Sequence, residues 1–218
     1  MASGPEPIPV AIPPTGLEGD LTIPPQARGV VLFAHGSGSS RFSPRNRYVA
    51  AMLQQAGLAT LLIDLLTAAE EEVDDVTREL RFDIGMLAGR LIEAAEWLSS
   101  HPATGRLDIG CFGASTGGGA ALVAAAERPE FIRAVVSRGG RPDLAREALS
   151  AVQAPTLLIV GARDTPVIEM NRVAFEQLQC VKRMDIVPGA THLFEEPGKL
   201  DDVARLARDW FVRHLRSR

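Results

Sequence analysis

The stretch GCFGASTGGGAALVAAA, at residues 110–126, places one serine between an apolar run and an alanine-rich segment. Residues 113–117 match G-x-S-x-G, in which small residues allow a sharp turn from a strand into a helix. Such a turn exposes the serine hydroxyl and leaves the next backbone amide at a helix N-terminus. We therefore expect a strand, a tight turn at Ser115 and a helix.

Two other interpretations of these glycines stay open on this stretch alone. A phosphate-binding loop of the form G-x-x-x-x-G-K-[ST] needs a lysine, and none occurs between residues 107 and 181. The spacing does not fit G-x-G-x-x-G either. Close packing of the backbone, with no chemistry attached, is the remaining alternative.

Apolar runs elsewhere in the chain predict a mostly parallel sheet. Continuous runs rich in branched residues are typical of strands that are covered on both faces. We expect such strands at residues 29–35, 59–66, 107–113, 134–137 and 155–161, with outer strands at 17–24 and 181–189. Helical spacing predicts helices at 45–56, 77–99, 115–127, 167–178 and 200–215, and the acidic run at 68–75 is expected to be a solvated loop and the start of the second helix.

This alternation predicts an α/β fold with helices on both faces of the sheet. A chain of 218 residues is long enough for one well-filled core, so we expect a single domain, with residues 1–16 as an extended or edge-strand segment. Residues 137–155 have room for one short helix, which leaves no space for a cap domain there.

Composition narrows the possible partners. The formal charge is −4, from 23 basic and 27 acidic side chains, and no basic stripe is present, which argues against nucleic acid. No run reaches the roughly 18 apolar residues of a membrane span, and residues 1–16 do not resemble a secretion signal. We expect a cytoplasmic monomer or homodimer that does not bind membranes.

A serine nucleophile needs a base, and the base needs a carboxylate that orients it. His192 lies in the loop after the last predicted strand, and Asp164 follows the strand before it. The chain order Ser, Asp, His is the one that accompanies this kind of turn. Asp143 is a competing acid, whereas His35 precedes the serine and is expected to hold the shape of its loop.

The loop after the first buried strand, HGSGSSR, is expected to face Ser115. The amides of Thr116 and Ser37 are the predicted oxyanion donors, with Gly38 as the alternative to Ser37. Gly36 and Gly38 are further predicted substrate contacts. The arginines that could bind a carboxylate or phosphate on the substrate are Arg41, Arg45, Arg47, Arg81, Arg138 and Arg141, and Arg41 and Arg138 are favoured among them. These arginines have Glu70–Glu72, Glu195 and Glu196 as alternative partners.

Together, FAHGSG, GASTGGG, LLIVGARDTPV and GATHLFEEPG resemble the α/β-hydrolase superfamily, and in particular its small dienelactone-hydrolase-like members. The resemblance spans residues 17–215. It implies Ser115 as nucleophile, His192 as base, Asp164 as its partner, and no metal or organic cofactor. Dienelactone hydrolases proper use a cysteine where this chain has Ser115, which moves the expected substrate toward esters in general.

The predicted function is that of a serine hydrolase of the carboxylesterase type, cleaving small or short-chain esters or lactones through an acyl-enzyme on Ser115. A cofactor-free haloperoxidase or perhydrolase would use the same three residues. A binding protein built on a hydrolase scaffold is the alternative outside catalysis.

Overall fold

A computed structural model describes residues 5–216 and contains an eight-stranded sheet. The strands are β1 (Ile8–Ile12), β2 (Leu17–Thr22), β3 (Val30–Ala34), β4 (Ala59–Ile63), β5 (Ile109–Ala114), β6 (Ile132–Arg138), β7 (Thr156–Gly161) and β8 (Lys182–Val187). Their spatial order is β1-β2-β4-β3-β5-β6-β7-β8. The pairs that involve β1 or β2 are antiparallel and the other pairs are parallel, which confirms the predicted, mostly parallel sheet.

Residues 5–216 form six α-helices: α1 (Pro44–Gln55), α2 (Ala68–Thr77), α3 (Ile84–Ser100), α4 (Thr116–Glu127), α5 (Thr165–Gln177) and α6 (Lys199–His214). One buried cluster joins the sheet to α3 and α4 through residues such as Leu91 and Ala121. A second cluster joins the opposite face to α1 and α6 through Leu53 and Phe211. The predicted α/β architecture with helices on both faces is therefore confirmed.

The N-terminal segment contributes the outermost strand. β1 lies within the stretch predicted as extended or edge-forming, and it pairs only with β2 among the strands of residues 5–216. Residues 1–4, which belong to the same prediction, lie outside the described residues. No helix within residues 5–216 is long and apolar enough to cross a membrane.

The helix predicted over 77–99 is confirmed only from Ile84, where α3 begins, and the acidic run at 68–75 is not the predicted loop and start of that helix. The acidic run forms α2, which begins with a capping box in which the Thr67 hydroxyl accepts from the Glu70 amide and the Glu70 carboxylate accepts from the Thr67 amide. Arg78 ends α2 in a left-handed conformation, and Asp83 caps α3. Between them, Asp74 accepts hydrogen bonds from the backbone and guanidinium of Arg81 and holds the chain reversal in place.

The sheet order brings the important loops to one edge. β3, β5, β6, β7 and β8 are consecutive neighbours and run in the same direction, so their carboxyl ends lie side by side. Between β6 and β7 the chain forms only 3-10 turns at Pro142–Ala151, without an inserted cap domain in this fully described segment.

Candidate active site

Ser115 lies on a strained turn between β5 and α4. Its φ of 51° and ψ of −122° are unusual for a residue with a side chain. A Cβ at Gly113 would collide with the carbonyl oxygen of Gly117, and one at Gly117 would collide with the carbonyls of Ala34 and His35. Both glycines of G-x-S-x-G are therefore required because the backbone approaches them too closely for a side chain. Gly113 faces the turn itself, and Gly117 faces the end of β3.

His192 and Asp164 meet although 28 positions separate them. His192 Nδ1 lies 2.6 Å from Asp164 Oδ2, a charge-assisted hydrogen bond. The loop that carries His192 approaches the end of β7 so closely that a Cβ at Gly161 would collide with the Ala190 carbonyl. This contact positions the imidazole over the end of the sheet.

The competing acid is engaged elsewhere. Asp143 forms a two-pronged ion pair with Arg141, with contacts of 2.8 to 3.2 Å. Within residues 5–216, the hydrogen bonds of the Asp143 carboxylate go to Arg141 and not to His192. Of the two acids that the sequence offers, the structure thus brings Asp164 to the histidine.

One cleft contains both the serine and the histidine. It spans about 610 Å³, a volume that includes space open to solvent, and it is lined by Ser115 and His192. Gly36 and Ser37, from the loop after β3, form part of its wall, and a Cβ at Gly36 would come within 3.0 Å of the Ser115 Cβ. Gly38 lines an adjacent cavity that it shares with Arg81.

The two predicted oxyanion residues contact each other directly. The Ser37 amide donates a hydrogen bond of 3.0 Å to the hydroxyl of Thr116. The Thr116 amide lies at the start of α4, with Ser115 as the N-cap residue. The Ser37 N–H is therefore engaged by the Thr116 hydroxyl in this structure, and the contact holds the loop after β3 against the start of α4.

His35 is bound on both sides by backbone. Its Nε2 accepts a hydrogen bond of 3.0 Å from the Leu65 amide, and its Nδ1 lies 2.9 Å from the Gly36 carbonyl oxygen. This pattern requires a neutral ring with the proton on Nδ1. Burial lowers the pKa of His35, which favours the same neutral form. The ring ties the loop after β3 to the end of β4.

The two favoured arginines have different surroundings. Arg41 forms ion pairs with Asp64 and Glu18 and does not line the Ser115 cleft as the described residues define it. Arg138 lines the cleft, is only 5% exposed, and donates a hydrogen bond of 3.2 Å to Asn46 Oδ1.

Asn46 was missed as a residue of the cleft wall, whereas its neighbour Arg45 was among the candidate arginines. Arg45 and Asn46 lie in the first turn of α1, which begins after the N-cap Ser43 and a proline at its first position. The Ser-Pro start is visible in the sequence and could have placed both side chains at the carboxyl edge of the sheet. Their approach to Arg138, 92 positions from Asn46, has no local signal.

A strained serine turn and a His–Asp pair, at the carboxyl edge of a mostly parallel sheet, define the α/β-hydrolase superfamily. The chain belongs to the dienelactone hydrolase family, whose model matches residues 17–215. Its family and its fold are those of hydrolases.

Solved structures agree with this assignment. A crystal structure of dienelactone hydrolase from Anabaena variabilis is 65% identical, with a TM-score of 0.95, over 98% of this chain and 100% of that one. The esterase domain of a Rhodothermus marinus protein is 20% identical, with a TM-score of 0.72, over 96% of this chain and 98% of that one. The second likeness shows a shared fold alone.

Curated relatives carry a different name. A putative phosphoribosyl transferase of Mycobacterium tuberculosis is 57% identical over 210 residues, which cover 96% of this chain and 46% of that protein. The chain therefore spans about half the length of the curated relatives it matches.

Proposed function

We propose that this chain is a serine hydrolase that cleaves small carboxylic esters or lactones. The observation that supports this most strongly is the 2.6 Å contact between His192 and Asp164 in the loops around a cleft that also contains Ser115. A nucleophile, a base and a carboxylate that orients the base are the groups that acyl transfer needs.

In this mechanism the Ser115 oxygen attacks the ester carbonyl while His192 takes the hydroxyl proton. The carbonyl oxygen becomes an oxyanion, for which the amide of Thr116 and, once it leaves the Thr116 hydroxyl, the amide of Ser37 are the proposed donors. The tetrahedral intermediate collapses, the bond to the alcohol breaks, and His192 returns the proton to the leaving oxygen. Water then repeats the sequence on the acyl-enzyme and releases the acid.

Asp164 has two roles in this scheme. It accepts the hydrogen bond from Nδ1, which leaves Nε2 free to receive the serine proton, and it stabilises the imidazolium that forms. Its side chain is 14% exposed, so the charge is partly shielded from water where it faces the ring.

Small substrates suit the architecture. The segment between β6 and β7 forms 3-10 turns without a cap domain, and the cleft is open to solvent. Long acyl chains would remain largely exposed to water in such a cleft. A short-chain ester can bury a larger fraction of its apolar surface there.

The transferase name of the relatives is not carried over. The matched region accounts for less than half of those proteins, and the transferase name refers to each of those proteins as a whole. Within this chain the glycines around Ser115 serve a serine turn, and no lysine follows them in the manner of a phosphate-binding loop.

A fluorophosphonate probe tests the proposal, because it modifies only an activated serine. Wild type should be labelled at Ser115, as located by peptide mass analysis, and should hydrolyse aryl acetates. Ser115→Ala should lose both properties, whereas Ser150→Ala, at an exposed position, should keep them. His192→Gln, which leaves the serine in place, should also abolish labelling. Labelling that persists in Ser115→Ala would refute the assignment.

A further inference from the structure

The turn at residues 138–141, where β6 ends, is bonded to the backbone of the strained serine. The Ser115 amide donates a hydrogen bond of 3.3 Å to the Arg138 carbonyl oxygen. The Arg141 amide donates one of 3.0 Å to the Ser115 carbonyl oxygen. Both backbone polar groups of Ser115 therefore bond to the 138–141 turn.

The same turn lies against the imidazole of His192. Gly139 has a φ of 50°, and its amide donates a hydrogen bond of 2.8 Å to the Ile159 carbonyl oxygen. A Cβ at Gly139 would come within 3.1 Å of the His192 carbonyl oxygen and within 3.5 Å of both Nδ1 and Cε1 of its ring. The 138–141 turn thus contacts the residue that carries the proposed nucleophile and the residue that serves as its base.

Asn171 of α5 holds the middle of this turn. Its side chain is fully buried, and its Nδ2 donates a hydrogen bond of 3.0 Å to the Gly140 carbonyl oxygen. The same Nδ2 donates one of 2.8 Å to the Val167 carbonyl oxygen, within α5. Gly140 has no room to move toward β6, because a Cβ there would already collide with Ser137 Oγ.

The helix that carries Asn171 also begins at the proposed acid. Asp164 is the N-cap residue of α5, and its carbonyl oxygen accepts a hydrogen bond of 3.0 Å from the Ile168 amide. Asn171 lies about two helical turns further along, so both residues are on one face of α5. One helix therefore positions the acid and, through Asn171, the turn that contacts Ser115 and His192.

Stability alone does not account for an amide at position 171. The Oδ1 of Asn171 is buried and has no hydrogen-bond partner among the described residues. A buried polar atom without a partner costs free energy, and an apolar side chain of similar size avoids that cost. What the amide contributes in exchange is its hydrogen bond to the 138–141 turn.

We propose that Asn171 is a positioning residue for the reaction at Ser115. By holding the Gly140 carbonyl, it fixes the distance between the Ser115 hydroxyl and the His192 ring across which the proton moves. Asn171 does not line the cleft as the described residues define it, so it acts through the turn and not on the substrate. The inference rests on the proposed ester hydrolysis, in which a displacement of about 1 Å can cost about 100-fold in rate.

Asn171→Ser tests this role, because it removes only the contact with the turn. A serine hydroxyl in a helix can bond the carbonyl four residues earlier, so the bond to Val167 is kept while the reach to Gly140 is lost. On a neutral aryl acetate, kcat should fall about 10- to 100-fold while KM stays within about threefold of wild type. Fluorophosphonate should label Ser115 more slowly by a similar factor but to the same final extent.

Ala174→Gly is the matched control. It weakens α5 at another buried position and leaves the hydrogen bond between Asn171 and Gly140 in place. Urea unfolding should show that this variant is destabilised, yet kcat per labelled site should stay within about threefold of wild type. A role of Asn171 in stability alone would leave kcat per labelled site unchanged in Asn171→Ser as well.

A double substitution tests whether Asn171 acts through the turn. Gly139→Ala places a methyl group against His192 and should lower kcat by itself. If both residues act on the same turn, Asn171→Ser combined with Gly139→Ala should lose at least about threefold less activity than the product of the two single losses. Losses that multiply would show independent effects and would overturn the inference.

The inference also fails if Asn171→Ser keeps kcat within about threefold of wild type, if its loss is confined to KM, or if Ala174→Gly loses as much. If Asn171→Ser does not fold, Asn171→Leu, which preserves the side-chain volume, must show the same loss of kcat per labelled site. Failure of the proposed hydrolysis is distinguishable, since wild type itself would then show neither labelling of Ser115 nor turnover of any ester.

Discussion

Replacement of Asp164 by asparagine tests how much the His–Asp contact contributes to catalysis. The substitution preserves size but removes the charge 2.6 Å from His192 Nδ1. In the transition state the imidazole becomes positive, with charge centres about 4 Å apart, which corresponds to about 4 kcal/mol at an effective dielectric constant of about 20. The His192 side chain is 39% exposed, so water screens part of this interaction.

We therefore expect Asp164→Asn to lower kcat/KM on a neutral aryl acetate about 100- to 1,000-fold. The loss should appear in kcat, since the charge acts on a group that becomes positive only during reaction. The assay is steady-state hydrolysis, with thermal unfolding as a check on folding. Asp143→Asn, which disrupts only the pair with Arg141, is the matched control and should retain activity. Loss of less than about threefold in Asp164→Asn, or an equal loss in both variants, would refute this reasoning.

Three further predictions concern the turn and the loop after β3. Thr116→Val, which removes the hydroxyl that anchors the Ser37 loop to the start of α4, should lower kcat about 5- to 30-fold in the ester assay because the Ser37 amide is then less well positioned, and Thr116→Ser should restore most of it. Gly117→Ala should destabilise the protein by about 3 kcal/mol or more in urea unfolding, because its Cβ would meet the Ala34 carbonyl; a neutral effect would contradict the close approach. His35→Gln should make stability less dependent on pH. Burial lowers the pKa of His35, so unfolding takes up a proton and wild-type stability falls as pH drops below about 6.5; an unchanged slope in the variant between pH 7 and 5 would argue against this.

The sheet was predictable because its signals are local. The buried strands read as continuous apolar runs, and β3, β4, β5 and β7 were located within one to three residues of their observed ends. The boundary between α2 and α3 was missed because helical spacing continues across it. The break depends on the Asp74 carboxylate binding Arg81 and on a left-handed Arg78, neither of which changes the apolar pattern.

The residues of the candidate site also differ in whether a local sequence signal identifies them. Ser115, Asp164 and His192 could be named in advance because each follows a recognisable strand and their chain order matches the turn motif. The sequence could not show which of the two favoured arginines is the better candidate to bind substrate, since Arg41 and Arg138 both follow strands that end at the same edge of the sheet. Their partners decide between them: Arg41 meets Asp64 and Glu18, while Arg138 meets only a neutral amide among the hydrogen bonds described for it.

The sequence by itself determined the alternation of strands and helices, the tight turn at Ser115 and the order of the three proposed catalytic residues. These follow from hydrophobic periodicity and from the room that glycine leaves, which are properties of neighbouring residues. Only the tertiary structure decided which acid meets His192, that the Ser37 amide binds the Thr116 hydroxyl, and that Arg45, Asn46 and Arg138 share one wall of the cleft. The physical reason is that charge pairing and burial depend on which chain ends the sheet brings together, over separations as large as 92 positions.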